Sequence, residues 1–188
     1  MPSSPKIPKD VILKNALEML IKDGYASITI KSLAEKIGCS TQPISWHFRG
    51  MENFRAALTE YALDYANAKM RPESNGRHAF AEVGFSYLCL AFDEPKLFRY
   101  LYMSGESGYT GGGLEFLFQE SGNAELIKQI AKESGLSVRK IRAYFTNTLV
   151  YTHGLACFIA SGLLKITKQQ AKKMMNEAAN QFWSEIKN

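Results

Sequence analysis

Cysteine is scarce in this chain, with three in 188 residues, and the three are scattered as Cys39, Cys89 and Cys157. No Cys-x-x-Cys pair occurs, so neither a disulfide framework nor a cysteine-based metal site is expected. Histidine is equally thin. His47, His78 and His153 stand too far apart in sequence to suggest a metal site, and no His-Glu-x-x-His segment exists. No Ser/His/Asp or Cys/His set stands at a readable spacing, so no enzyme and no cofactor is expected. The glycine-rich run at 104–113, SGESGYTGGG, lacks the Gly-Lys-Ser/Thr ending of a phosphate-cradling loop and reads as a flexible connection. Long apolar runs are missing too. No stretch of about eighteen apolar residues is present, which argues against a membrane-spanning helix. The first residues, MPSSPKIPK, lack the apolar centre of a secretory signal, so a cytoplasmic location is expected.

What remains is ordinary globular material, 46% hydrophobic and 22% charged. The net charge is +5, with a pI near 9.0. Basic side chains outnumber acidic ones by 8 to 5 through residue 55, a modest excess that suits a polyanionic partner. Apolar residues recur three and four apart along almost the whole chain, so the fold class is all-α.

The most informative stretch is Thr29 to Met51, TIKSLAEKIGCSTQPISWHFRGM. Thr29 can cap a short helix whose stripe is Leu33, Ala34 and Ile37. Gly38 ends it, since glycine enters the left-handed conformation without a Cβ clash. Ser40 is expected to cap a second helix, Thr41 to Phe48, with Pro43 in the first turn where an amide has no intrahelical partner. Ile44 and Phe48 then face inward, leaving Thr41, Gln42, Ser45 and Trp46 outside. Two short helices joined through a glycine turn make a helix-turn-helix, whose second helix fits the major groove of DNA. An ordinary helical hairpin has the same shape.

Around this motif the pattern predicts helices over 8–23 and 51–70, then a break at 71–77 (RPESNGR). A helix over 78–92 follows, and Asp93 is expected to cap the next one, which carries Pro95 in its first turn. Further helices are expected over 114–120, 123–134, from a Ser137 cap to about 161, and from a Thr167 cap to 187. The middle of the penultimate helix, AYFTNTLVYTHGLACFIA, is apolar on nearly all sides, which predicts burial all round.

The run SLAEKIGCSTQPISWHF, with an amphipathic helix before it and Glu52, Asn53 and Phe54 after it, resembles the DNA-binding domain of the TetR family of transcriptional regulators. The family pattern runs through Ala34, Gly38, Ser40, Ile44, His47 and Phe48. Two positions depart from it: Ser45 stands where the family has a phosphate-touching tyrosine, and Met51 where it has a phosphate-touching lysine.

The resemblance implies an N-terminal three-helix reading domain, residues 1–50, and a helical ligand-binding and dimerisation domain, residues 51–188. It implies a homodimer on a pseudo-palindromic operator in double-stranded DNA. The contacts would be made by Thr29, Lys31, Thr41, Gln42, Ser45, Trp46 and His47, with Gln42 placed to read an adenine edge. A small apolar or aromatic effector would meet Tyr87, Phe98, Tyr102, Phe116 and Phe145. The last two helices would form the dimer interface through Leu149, His153, Phe158, Met175, Ala179 and Phe182, although the same residues could complete the chain's own core. The expected function is a repressor released by its ligand. The rival is a ligand-binding or scaffold protein of the same fold in which Ser45 and Met51 have weakened DNA binding.

Overall fold

Proline sets the first helix. Pro8, with φ −62° and ψ 148°, sits at the N-cap of α1 (Lys9–Asp23) in an extended conformation, so the helix starts immediately after it. A computed structural model describes residues 7–107 and 123–188 of the chain. α1 buries Ile12, Leu13, Ala16, Leu17 and Leu20 and ends at Gly24, whose amide returns to the carbonyls of Met19 and Leu20. A single 3₁₀ turn, Tyr25–Ser27, leads to α2 (Ile30–Ile37) and α3 (Gln42–Phe48). Then come α4 (Met51–Lys69), α5 (Gly76–Asp93) and α6 (Pro95–Tyr102), and a second 3₁₀ turn at Gly105–Ser107. Beyond residue 122 lie α7 (Asn123–Ser134), α8 (Val138–Ala160) and α9 (Lys168–Lys187). No strand occurs among the described residues, so the fold is all-α as expected. The expected helix over 114–120 and most of the glycine-rich run lie outside the described residues.

The chain divides into two compact units, Met1–Asn67 with Glu94–Tyr109, and Ala68–Asp93 with Thr110–Asn188. In the first, α1 packs against α2, α3 and α6. Its interior holds Leu20, Leu33, Ile44, Phe54, Leu58 and Leu97, all nearly inaccessible to solvent. Burying each such side chain contributes about 1.5–3 kcal/mol. A polar thread crosses this core: Tyr100 Oη lies 2.8 Å from Thr59 Oγ1, which donates to the Ser107 carbonyl at 2.9 Å.

In the second unit α5, α7, α8 and α9 pack together around Phe80, Ile127, Ile130, Ile141, Tyr144 and Phe145. Phe80 stacks on Phe145 with ring centroids 4.6 Å apart. Tyr144 meets Trp183 edge-on at 5.0 Å, and the Arg77 guanidinium lies 4.5 Å above the same indole.

Three local expectations are corrected. α3 begins at Gln42, with Thr41 at the cap position and no side-chain hydrogen bond there, so Ser40 is not the cap. Asp93 is the last residue of α5, and Glu94 precedes α6 without a side-chain cap. The Asp93 carboxylate instead pairs with Lys168, at 2.6 Å from Oδ1 and 2.7 Å from Oδ2. α8 is not buried all round, because Val150 is 57% and Phe158 55% exposed. The caps at Thr29, Ser137 and Thr167 are present, those at Thr29 and Thr167 as reciprocal capping boxes.

Candidate nucleic-acid interface

The helix-turn-helix is built from hydrogen bonds only a few residues long. The Thr29 hydroxyl accepts from the Ser32 amide at 3.0 Å, and the Ser32 hydroxyl in turn accepts from the Thr29 amide at 2.9 Å. Ser32 also donates to the Ser27 carbonyl at 2.8 Å, which ties the start of α2 to the turn before it. Thr29 is therefore a capping residue first, with its hydroxyl already engaged. At the other end Gly38 takes φ 77°, and the amides of Gly38 and Cys39 both return to Ala34, at 2.9 and 3.0 Å. That closure turns the chain sharply into α3.

α3 presents two unlike faces. Ile44 and Phe48, four apart, are buried, and Phe48 meets Phe54 edge-on at 5.1 Å. Thr41, Gln42, Ser45 and Trp46 are exposed, and Trp46 keeps 54% of its surface in solvent. Arg49 ends α3 with φ 53°, the single positive φ outside glycine among the described residues. Its left-handed conformation lets Gly50 and then α4 follow at once.

The cations around this face are unequal. Lys36 is held by Glu18 at 2.9 Å, and that bond keeps the Glu18 carboxyl below the usual carboxylate range. Lys31 is 84% exposed and reaches Glu35 only at 4.0 Å, a pairing worth little in water. Lys31 therefore remains available to an incoming anion. His47 is half-buried, and its Nε2 lies 2.9 Å from the Ile7 carbonyl, a contact no local pattern announces.

The effector candidates are not all brought together. Phe98, fully buried, and Tyr102, half-buried, sit 5.2 Å apart in the first unit. Phe145 belongs to the core of the second unit, where Tyr87 also lies, its hydroxyl 2.8 Å from His153 Nδ1. Phe116 lies outside the described residues. A cavity of about 160 Å³ in the second unit is lined by Lys69, Ser86, Cys89, Leu90 and Asp93, none of the five expected residues.

Of the interface candidates, Phe158 is exposed, while Leu149, Ala179 and Phe182 pack in part against their own chain's core. Met175 is corrected: it is 3% exposed within one chain, and a Cβ added at Gly84 would stand 3.1 Å from its sulfur. It has almost no surface left to offer a partner. Among the described residues no group of three or more His, Cys, Asp or Glu is placed to hold a metal ion. No helix among them is long and apolar enough to cross a membrane.

A helix-turn-helix held by the inner face of its second helix, with the outer face in solvent, is a form that fits the major groove of DNA. The model of the bacterial regulatory proteins, tetR family, matches residues 12–58, from within α1 to within α4. The biofilm operon icaADBC HTH-type negative transcriptional regulator IcaR of Staphylococcus aureus (strain Newman) is 21% identical over 182 residues, covering 95% of this chain and 94% of that protein. A TetR variant from Acinetobacter baumannii AYE, solved with minocycline, superposes with a TM-score of 0.63 at 19% identity, over 97% of each chain. BioQ on its double-stranded DNA operator superposes with a TM-score of 0.54 at 17% identity, over 93% of this chain and 98% of that one. Residues 12–58 thus match the DNA-binding domain of the bacterial regulatory proteins of the tetR family, and over nearly its whole length the chain is similar to transcriptional regulators of that family.

Proposed function

We propose that the protein is a homodimeric repressor that reads a pseudo-palindromic operator and lets go of it when a small apolar or aromatic molecule binds. The observation that carries the DNA-reading part is the two-faced α3: Ile44 and Phe48 anchor it, and Thr41, Gln42, Ser45 and Trp46 are left outward. Residues 1–50 form the reading domain, and 51–188 take the effector and the second copy. Gln42 reads a base edge, because its amide can pair bidentately with adenine. Lys31 and Arg49 take phosphates, which fix register without specifying sequence. Repression as the mode is supported by the likeness to IcaR, a negative regulator.

The homodimer is supported by α8. Val150, Gly154 and Phe158 recur every four residues, Val150 and Phe158 stand exposed, and a Cβ at Gly154 would meet nothing within 4 Å. A monomer would leave that apolar stripe in water; the same stripe on a second copy covers it. The effector reading is supported by the minocycline held by the A. baumannii TetR variant and by the aromatic content of 85–102. Physically, a ligand releases DNA only if it binds the released arrangement of the two reading heads more tightly than the bound one.

Selection of duplex DNA by the purified protein at two salt concentrations tests this. The expected result is an enriched inverted repeat with half-sites in helical phase, lost steeply as salt rises. Gln42→Ala should relax one position of each half-site, by about 1–3 kcal/mol for a bidentate contact. A folded protein that enriches nothing at low salt sinks the reading and leaves the ligand-binding alternative, in which Ser45 and Met51 are the weak points.

A further inference from the structure

We propose that the inner face of α8 holds the polar end of the effector site, where the hydroxyls of Thr148 and Thr152 receive a neutral aromatic ligand by an oxygen that it carries. The proposal rests on the effector reading above and names the chemistry of that ligand. Thr148 and Thr152 are 7% and 5% exposed, and neither side-chain oxygen has a hydrogen-bond partner among the described residues. A threonine inside a helix can donate to a carbonyl one turn back, and here both leave that bond unmade. Four residues apart, they stand one above the other on the same face. A buried hydroxyl without a partner destabilises the fold. Two in adjacent turns of one helix mark that face as shaped for a group the described chain does not supply.

The rest of the face is apolar. Phe145, Leu155, Ala156 and Ile159 of α8 are buried along with the threonines, and Phe145 stacks on Phe80 of α5. Tyr144, one turn before Thr148, brings its phenol near that hydroxyl without closing a hydrogen bond to it. An apolar wall interrupted by a few polar groups is the composition of a small-molecule site. The pair also limits what the wall accepts. A hydroxyl both donates and accepts, so it suits a phenol or a ketone. It carries no charge, and the Arg77 guanidinium near Tyr144 is engaged by Asn180 and the Trp183 ring. A carboxylate or an ammonium would therefore lose its water against hydroxyls alone. A bare hydrocarbon would cover the wall and leave both hydroxyls as they are. The ligand that answers all of these is an uncharged, oxygenated aromatic.

The test uses the full chain as wild type, Thr148→Val and Thr152→Val, with naphthalene, naphthol and tetralone as probes. Titration calorimetry gives the affinities, and scanning calorimetry gives the melting temperature without ligand. Wild type should bind naphthol or tetralone about tenfold more tightly than naphthalene. Each valine variant should bring the three probes to nearly equal affinity, and Thr152→Ser, which keeps the hydroxyl, should keep the preference. Without ligand, each valine variant should melt about 2–4 °C above wild type, because an unsatisfied hydroxyl has become a methyl group. Lower melting temperatures in both variants would overturn the proposal, since the hydroxyls would then be satisfied in the resting protein by water or a carbonyl. Equal affinity of wild type for all three probes would overturn it as well, and so would a preference that survives both valine variants. The probe comparison needs wild type alone, so the test survives a variant that does not fold. Binding with the expected preference while the operator stays bound would uphold the site and remove only its releasing role. A wild type that binds none of the three overturns the ligand class and leaves DNA reading, measured by duplex selection, untouched.

Discussion

Tyr87 and His153 are joined side chain to side chain: the phenol oxygen lies 2.8 Å from Nδ1, linking α5 to α8, while the other ring nitrogen lies 3.4 Å from Cys157 Sγ. Burial holds the His153 imidazole below its ordinary value of 6.5. Above that pH both the folded and unfolded states carry a neutral ring, and the group is silent. As pH falls through 6.5 the unfolded chain takes up the proton first, so the fold loses stability until the folded-state value is also passed. Melting temperatures of wild type and His153→Gln should therefore diverge on acidification, the wild type losing more. Parallel curves from pH 7.5 to 5.5 would show that the ring charges without penalty.

The thread through Thr59 gives an asymmetric pair of mutants. Thr59 donates to the Ser107 carbonyl, so Tyr100 is the donor to Thr59. Tyr100→Phe removes that donor but leaves the Thr59 hydroxyl satisfied, and should cost about 1 kcal/mol in chemical denaturation. Thr59→Val strands the Tyr100 hydroxyl in a buried place, and should cost about 2–3 kcal/mol. Equal costs would mean water reaches this site.

Met51 opens α4 and is 37% exposed, directly after Arg49 and Gly50. Met51→Lys should steepen the salt slope of operator binding by about 0.9. The same charge sits at a helix N-terminus and should destabilise the fold by about 0.3–1 kcal/mol. Tighter binding by a slightly less stable protein is the expected signature. An unchanged slope would show that the first turn of α4 does not reach the backbone of DNA.

Arg49 stands at φ 53°, a conformation costly for a residue with a Cβ. Arg49→Gly relieves that strain but adds freedom to the unfolded chain, so stability should stay within about 1 kcal/mol of wild type, on the side of a gain. If the guanidinium holds a phosphate, affinity falls all the same, and the salt slope drops by about 0.9. Loss of binding and stability together would mark Arg49 as structural instead.

These cases show which parts of the molecule were legible in the sequence. The caps at Thr29, Ser137 and Thr167 were readable because each bond spans three residues and needs nothing from elsewhere. Gly38 was readable for the same reason. The cap before α6 was misassigned because two carboxylates precede Pro95, and the choice is settled by Lys168, 75 residues away from Asp93. The apolar ring of α8 announced burial but not by what, so the exposed Val150 and Phe158 were invisible in it. Met175 shows the converse: its stripe was real, but its partner is Gly84 of the same chain. The fastening of Ile7 by His47 and the link between Tyr87 and His153 join residues 40 and 66 apart, with no periodic signal at either end.

The chain has two tryptophans, and the fold has put them to opposite uses. Trp183 is packed against Tyr144 beneath Arg77, whereas Trp46 is 54% exposed on α3. The reading helix thus carries its own optical reporter. In the Trp183→Phe protein, emission comes from Trp46 alone; titrated with operator, it should shift and quench as the indole leaves water. In the Trp46→Phe protein the remaining emission should hold steady through the same titration. Occupancy of the DNA can then be followed without attaching any label to either molecule.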